Sequence, residues 1–368
     1  MTIPFLCTMI IIPFFLLTTT PTTPTAVVLK ADTTASNNPQ SLFNNIRNLT
    51  QTGVTISQKN YFLTQFNVLH TYTRLLIWPS NQNIDYDYPI TNNVFNFSFI
   101  ISTLFLLTLF IFAWGLKNKF RMISFGIFWF FLTLSIESSI IPSEIVINEH
   151  RLYLPMVGFS FAAATILVYI FKKRWLLHIV SSIILICFSF ATIQRNAIWK
   201  DEISLWKDAH KKSPYKTRPL TNLGIAYKDN KDFDKAIENL SKAIILDPNN
   251  ATAYTHLAFC YRYKGNVLKE VELLKKAIAI NPTYALAYFG LAYHYHREGN
   301  LKNAIKYYEI ALSLDPNFEA IYKNLAIAYK KNNNPEKINT LINKLTNQGN
   351  KHMANLLIDI MSQEDPSI

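Results

Sequence analysis

One short group of charged residues lies between two long apolar segments of the chain. Glu149, His150 and Arg151 belong to the stretch NEHRLYLPMVGF, which covers residues 148–159. A carboxylate beside an imidazole is typical of general acid–base catalysis, and an arginine can bind an anionic group. The same residues would also suit a structural latch at a membrane surface, or a loop that only has to be solvated. The segments that flank the group bear on this choice.

Four apolar segments fill residues 95–194, and each is long enough to cross a bilayer, which takes about 20 residues. They cover residues 97–116, 122–142, 152–171 and 175–193. The segment 3–17 is shorter and contains two prolines. We interpret residues 1–18 as a further span, and an uncleaved signal-like segment is the alternative.

The basic residues predict the orientation of these spans. Six of the 11 Lys and Arg residues before position 195 lie in the loops 117–121 and 172–174. Such loops stay cytoplasmic, so residues 148–151 and the whole chain after 193 are expected outside. Outside means the periplasm of a bacterium or the ER lumen of a eukaryote. Glu137 would lie near the outer end of its span. There it is a functional acid, a partner of Arg151, or a residue that lies just within the lipid headgroups.

Residues 19–94 form the first outer loop of this arrangement. A Thr/Pro/Asn-rich tract is followed, from Tyr61, by apolar residues at helical spacing, which predicts an amphipathic helix along the membrane interface. Arg74 lies near its end, before Pro79. Asp85 and Asp87 flank Tyr86, as either a cation site or an acidic turn.

The composition excludes several classes of function. The net charge of +12 is not concentrated in a run with nucleic-acid motif spacing, so it favours a membrane surface or an acidic partner. The three cysteines show no paired spacing, which argues against a disulfide framework or a zinc site. The chain contains no P-loop, GxSxG, HExxH or nucleotide fingerprint, so we expect no cofactor and no metal.

The second half of the chain repeats with a period of 34 residues. Each unit has a leucine, then a small residue, then a tyrosine, and a proline closes the first three units; the leucines are Leu223, Leu257, Leu291 and Leu325. This is the tetratricopeptide pattern. It predicts units at 217–250, 251–284, 285–318 and 319–351, after a linker helix at 195–216 and before a capping helix and tail at 352–368. Glu270 replaces the usual alanine of the second unit.

A groove along the repeats is the main candidate for a binding site. A stack of such units exposes a concave face, which the first helices of the units line. The residue after each repeat tyrosine is basic or can become so, and a partly aromatic row lies beside it on the same helix face. The groove candidates are Lys228, Phe259, Arg262, Tyr293, His296 and Lys330. They suit an extended acidic peptide, and a solvated basic face is the alternative.

Four motifs give the chain a resemblance to a known membrane family. TQFNVLHTYTRLLIWPSNQNIDYDYP, ESSIIP, NEHRLYLP and RNAIWKDEISLWKDA precede the repeats, and the combination resembles the C-terminal half of the transmembrane-and-TPR O-mannosyltransferases. The resemblance implies the GT-C glycosyltransferase architecture and transfer of a sugar from a polyprenyl-phosphate carrier on the outer face. The catalytic acids of that family lie in the first outer loop of an N-terminal module, which we expect this chain to lack.

These observations predict an all-α protein with a multispanning transmembrane helix bundle followed by a TPR α-solenoid. We expect it to hold a protein partner or substrate on the outer side, in the context of protein glycosylation. A lipid-linked sugar transferase subunit or fragment is one alternative, and a pure scaffold is another. Membrane lipids are expected partners, a polyprenyl-phosphate donor would require the missing module, and no nucleic acid is expected. Arg74, Asp85, Asp87, Glu137, Glu149, His150 and Arg151 are then candidates for support or docking at the membrane boundary, without a catalytic residue among them.

Overall fold

The computed structural model describes residues 56–138, 143 and 145–362. The predicted span at 1–18, the Thr/Pro/Asn-rich tract, part of the ESSIIP motif and the last six residues lie outside this range. All regular structure in the described residues is helical, which confirms the all-α prediction. The chain divides into two compact units, Met1–Ile198 and Trp199–Ile368, and each is described by itself.

The first unit contains five α-helices and one short 3-10 turn in its described part. They are α1 (Gln58–Ile77), α2 (Phe97–Leu116), α3 (Arg121–Glu137), the turn Glu149–Leu152, α4 (Tyr153–Ile170) and α5 (Arg174–Ile198). Helix α1 is capped by Ser57, the residue before it, whose side chain accepts a hydrogen bond from the Asn60 amide. It ends at Ile77, two residues before Pro79, which cannot continue a helix.

Helix α1 packs its apolar face inside the protein. Tyr61, Val68 and Tyr72 are fully buried, in one cluster with side chains of α2 and α3 and with Ile147. Its polar face binds the following segment, because Asn67 donates to Thr91 and Thr71 pairs with Tyr88. The apolar face of α1, which was expected to contact the membrane interface, is therefore covered by protein. Contact of α1 with the membrane stays a prediction.

Helices α3 and α4 approach each other closely at two glycines. A Cβ atom added to Gly126 would collide with the carbonyl oxygen of Gly158, and one added to Gly158 would collide with Trp129. The Trp129 indole donates to the Leu154 carbonyl at 2.7 Å across the same interface. Small residues at such a crossing let two backbones meet, as is common between membrane helices.

Three helical segments are long and apolar enough to cross a membrane. They are Phe97–Leu116, Glu149–Ile170 and Arg174–Ile198, and their composition fits a membrane protein. Helix α3 is also apolar but has 17 residues, so the predicted span at 122–142 stays a prediction.

The second unit is a row of antiparallel helix pairs. It contains α6 (Glu202–Lys212), α7 (Thr217–Asp229), α8 (Phe233–Leu246), α9 (Ala251–Tyr263), α10 (Val267–Ile280), α11 (Ala285–Arg297), α12 (Leu301–Leu314), α13 (Glu319–Lys331), α14 (Pro335–Asn347) and α15 (Lys351–Ser362). Gly224 marks the closest approach within the first pair, since an added Cβ would collide with Leu240. The turn inside each pair has a positive φ at Lys231, Gly265, Gly299 and Asn333, which are 34 residues apart.

Candidate functional site

A cleft of about 430 Å³ lies in the second unit, beside the turn between α7 and α8 and the last turn of α9. Its lining residues are Lys228, Asp229, Lys231, Phe233, Phe259, Arg262 and Tyr263. Three of these side chains are cationic, one is acidic and three are aromatic. The cleft can therefore attract acidic groups while its rings contact apolar ones.

Arg262 is held between two aromatic rings beside this cleft. Its guanidinium carbon lies 4.6 Å from the ring centre of Phe259 and 4.8 Å from that of Tyr293. One guanidinium nitrogen is 3.9 Å from the carboxylate of Glu270, which is fully buried. The rings and the carboxylate restrict the rotamers of a long side chain, so less entropy is lost when a ligand binds it.

Glu270 is the only acidic residue at its position in the repeat. Ala236 and Ala304 occupy this position in the first and third units, and all three side chains are fully buried. Burial raises the pKa of the Glu270 carboxyl, while Arg262 and Arg297 act in the opposite direction. Nδ1 of His294 lies 3.8 Å from the second carboxylate oxygen, and burial lowers the pKa of this imidazole.

Lys228 contributes a partly covered cation to the cleft. Its ammonium nitrogen is 2.9 Å from the Asp229 carboxylate and 3.4 Å from Nδ1 of His256. Burial, and then the charge of Lys228, lower the pKa of His256 to about 4, so that ring is neutral near pH 7. A neutral imidazole beside Lys228 leaves Asp229 as the nearby countercharge.

The other two members of the predicted basic row have different surroundings. His296 is 4% exposed, and burial lowers its pKa to about 4, so it adds no charge near pH 7. Lys330 donates hydrogen bonds to the carbonyl oxygens of Ile360 and Met361 at 2.9 and 2.8 Å. This lysine thus stabilises the C-terminal end of α15, where unpaired helix carbonyls favour a cation. Of the four predicted basic positions, Lys228 and Arg262 line the cleft, whereas His296 is uncharged near pH 7 and Lys330 contacts the end of α15.

An aromatic pair in the cleft was not among the predicted site residues. The rings of Phe233 and Tyr263 stack with centres 4.7 Å apart at an angle of 15°. Tyr263 is nevertheless 65% exposed. The sequence signal for it was the recurring position two residues after each repeat tyrosine, where Tyr263 is the only aromatic residue.

A second polar site lies in the first unit, around Glu149. One carboxylate oxygen accepts hydrogen bonds from the backbone N–H of Asn83 and from the hydroxyl of Tyr86, both at 2.6 Å. Arg195 approaches the other oxygen at 4.0 Å. Burial, and then the bond to Glu149, raise the pKa of the Tyr86 hydroxyl. Glu149 is therefore an acceptor that holds the segment around Asn83 and Tyr86 in place.

The neighbours of Glu149 anchor the same junction to α1. The hydroxyl of Tyr72 donates to the carbonyl oxygen of Asn148 and accepts from its N–H, both at 2.9 Å. Burial raises the pKa of Tyr72 to about 12, while Arg151 acts against this shift. His150 is exposed, and its Nε2 lies 2.6 Å from the Asn148 amide nitrogen.

The remaining boundary candidates are dispersed. Asp85 is 3% exposed, and its backbone is hydrogen bonded to Asn83, whereas Asp87 is exposed. The guanidinium of Arg74 is 3.5 Å from the Ser80 hydroxyl. The side chain of Glu137 lies outside the described residues. Among the described residues, no group of three or more His, Cys, Asp or Glu side chains could hold a metal ion.

Comparisons with known proteins identify the repeats. Tetratricopeptide-repeat families match residues 218–250, 251–284 and 285–318. The chain is 33% identical over 113 residues to "Protein O-mannosyl-transferase Tmtc2" of Drosophila melanogaster, a match that covers 30% of this chain and 12% of that relative. The aligned part is thus about an eighth of the relative's length.

Solved structures also resemble part of the chain. "Crystal structure of MamA" is 29% identical, covers 41% of this chain and 88% of that one, and has a TM-score of 0.35. "First TPR of Spaghetti (RPAP3) bound to HSP90 peptide SRMEEVD" is 26% identical, covers 31% and 91%, and has a TM-score of 0.30. The tetratricopeptide repeats place the second unit in a class of protein–protein interaction domains.

Proposed function

We propose that this chain is a membrane-anchored module that holds an acidic segment of a partner or substrate protein outside the cytoplasm, in the context of protein glycosylation. The repeats supply a protein-binding domain, and the apolar helices supply the anchor. The glycosylation context rests on the partial similarity to Tmtc2 and on the four motifs that precede the repeats.

The single observation that carries the proposal is the position of Arg262 between Phe259 and Tyr293, at the edge of a cleft that Lys228 and Lys231 also line. A carboxylate of a bound peptide would meet an arginine whose rotamer is already restricted. The exposed ring of Tyr263 adds an apolar contact beside it. An acidic peptide with interspersed aromatic or aliphatic residues matches this combination.

The location outside the cytoplasm rests on the sequence pattern of the spans. The loops 117–121 and 172–174 carry most of the positive charge near the membrane. Lys117 lies over the ring of Trp114, and Lys172 lies over that of Tyr169. Such cation–aromatic pairs suit the headgroup zone on either side of a membrane. The cytoplasmic side is proposed because short basic loops between spans are retained there.

A binding measurement on the full chain in lipid nanodiscs tests the proposal. The probe is a fluorescent peptide of alternating glutamate and tyrosine, and the variant is Lys228→Gln plus Lys231→Gln. We expect about fivefold to tenfold weaker binding, because exposed charged contacts contribute up to about 1 kcal/mol each. Arg262 is left unchanged here, since its loss would leave the buried Glu270 without its cation.

The matched control removes the same charge from exposed positions on second helices, Lys275→Gln plus Lys302→Gln. It should bind the peptide like the unmodified chain. Equal weakening by both double variants would mean that net charge alone governs binding, and the cleft would then have no specific role.

A transferase subunit is the second candidate function, and the junction around Glu149 favours it. Hydrogen bonds from Asn83 and Tyr86 to Glu149 join the motif TQFNVLHTYTRLLIWPSNQNIDYDYP to the motif NEHRLYLP. Two of the four motifs that resemble the glycosyltransferase family are therefore in contact. Both hydrogen bonds to Glu149 come from the protein itself, which is typical of a support residue. We expect the purified chain to transfer no sugar from a polyprenyl-phosphate donor to a peptide. Turnover that Glu149→Gln abolishes would make this candidate the primary one.

A further inference from the structure

Helix α5 has the most exposed surface of the membrane-length helices in the described part of the chain. It has 25 residues, is apolar enough to cross a bilayer, and contains no buried residue. Its partly covered residues, which include Ile184, Ala191 and Ile198, lie on one side. The residues on the opposite side are exposed in the described part of the first unit.

Polar residues on this helix fall on one exposed line. The line consists of His178, Ser182, Leu185, Ser189, Thr192 and Asn196, and every one of these residues is exposed. Their spacing alternates between four and three, so at 100° per residue they stay within about 40° of a single line. The line is about 27 Å long at 1.5 Å per residue, close to the thickness of the hydrocarbon core. We call it the α5 seam.

The α5 seam faces away from most of the partly covered residues in the described part of the unit. Ile184, Ala191 and Ile198 lie roughly 120–160° around the helix from it, and the partly covered Ser181 lies about 60° from it. Five of its six residues can form hydrogen bonds, and lipid offers polar groups no partner. Thr192 already donates its hydroxyl to the Phe188 carbonyl within the helix. In membranes, small and polar side chains occur where one helix meets another. The seam therefore has the character of a helix–helix interface.

We propose that the α5 seam binds the same helix of a second copy of this chain, with the two helices parallel. The alternation of four and three is the heptad spacing of a left-handed helix pair. In a parallel symmetric pair each seam residue meets its own copy at the same depth. The hydroxyls of Ser182 and Ser189 and the amide of Asn196 can each donate and accept, so these like pairs are complementary.

A segment of the same chain fits the seam less well. Residues 3–17 contain only Cys7 and Thr8 as side chains able to donate a hydrogen bond. They cannot match five polar positions spread over the whole depth of the membrane. A helix of a different protein would need its own polar residues at those depths, whereas the second copy supplies them by symmetry.

Cysteine cross-linking in native membranes tests the proposal. In a background with Cys7→Ser, Cys187→Ser and Cys260→Ala, single seam cysteines are introduced as Ser182→Cys or Ser189→Cys. The matched controls Ile183→Cys and Phe190→Cys are adjacent in sequence but lie roughly 120–140° from the seam. With copper phenanthroline as the oxidant, we expect a covalent homodimer for the seam cysteines and little for the controls.

The natural Cys187 provides an internal control, because it is exposed and lies on the side opposite the seam. The chain with Cys187 as its sole cysteine should stay uncross-linked. Equal dimer formation at seam and control positions would overturn the proposal. Cross-linking of the seam to a different protein, or to a retained Cys7 of the same chain, would also overturn it.

A non-covalent measurement gives an independent check. In detergent, Ser182→Leu plus Ser189→Leu should weaken dimerisation by about fivefold to tenfold, since it removes two polar pairs between membrane helices. Ile183→Leu plus Phe190→Leu should leave it unchanged. Unaltered dimerisation of the seam variant in single-molecule photobleaching would exclude the seam as the interface.

Discussion

The carboxylate of Glu270 is buried 3.9 Å from the guanidinium of Arg262, at the edge of the cleft between repeats. An unpaired buried charge is costly, so the arginine offsets the burial of the glutamate. In return, the carboxylate directs the guanidinium to the place where Phe259 and Tyr293 enclose it. Glu270, which replaces the usual alanine in the second repeat, thus positions Arg262, the central side chain of the proposed binding site.

Replacing Arg262 alone should destabilise the repeats. We expect Arg262→Met to lower the free energy of unfolding of residues 199–368 by roughly 2 kcal/mol or more, because Glu270 would remain buried without its cation. In a Glu270→Ala background the same change should cost less than about 1 kcal/mol. Urea unfolding of the four proteins gives both numbers, and equal costs in both backgrounds would show that the pair is not coupled.

The same pair predicts a pH dependence. The pKa of Glu270 is raised in the folded state, so the unfolded chain releases this proton first and stability falls as the pH rises through the folded pKa. The penalty of Arg262→Met should therefore shrink in acid, where Glu270 is protonated and neutral. A penalty that is constant with pH would contradict this account of the buried carboxyl.

His296 predicts a pH dependence of the opposite sign. Its folded pKa is about 4, against an ordinary value of 6.5, so only the unfolded chain binds a proton between these values. The free energy of unfolding should then rise as the pH is increased from about 4 to 6.5. His296→Phe should reduce this rise, although His256 contributes to it in the same sense.

The control for His296 is His352→Phe, at an exposed position of α15. It should leave the slope unchanged. An unaltered slope in His296→Phe, measured by urea unfolding of residues 199–368 across this range, would mean that the buried imidazole does not govern the acid response.

The junction around Glu149 predicts local protection of the segment that contains Asn83 and Tyr86. Because the Asn83 amide donates to Glu149, Glu149→Ala should speed hydrogen exchange of the peptide around residues 80–92 by about tenfold or more. Tyr86→Phe should have a smaller effect, since it removes only one of the two donors. Tyr153→Phe, at a tyrosine that is 74% exposed, should change nothing. Unchanged exchange in Glu149→Ala would show that the loop is held by other contacts.

Periodic features of this protein could be predicted from its sequence, whereas side-chain partners distant in sequence could not. The 34-residue spacing of Leu223 and its counterparts predicted the helix pairs, because each repeat buries the same positions. The same period also predicted a charged row that ended at Lys330. No local pattern shows that Lys330 caps α15, since its acceptors come 30 residues later.

The surroundings of Glu149 show the same limit. Its position between two apolar segments indicated a membrane boundary, and the choice between catalysis and support depended on what it contacts. Its hydrogen-bond donors, Asn83 and Tyr86, lie more than sixty residues earlier in the chain. Such contacts depend on how α1 packs in the fold, which periodicity alone does not specify.

The most direct test of the central proposal is a labelling experiment that determines on which side of the membrane the repeats lie. Asn230, exposed in the turn after α7, is changed to cysteine in the background that lacks Cys7, Cys187 and Cys260. For a bacterial chain, intact cells or spheroplasts are treated with an impermeant thiol reagent, which reaches the outer face. For a eukaryotic chain, sealed ER vesicles are used, and the reagent reaches the lumenal face after selective permeabilisation. The account predicts labelling from that face and protection from the cytoplasmic face, with Lys119→Cys showing the reverse. Labelling of Asn230→Cys only from the cytoplasmic face would contradict the proposed function.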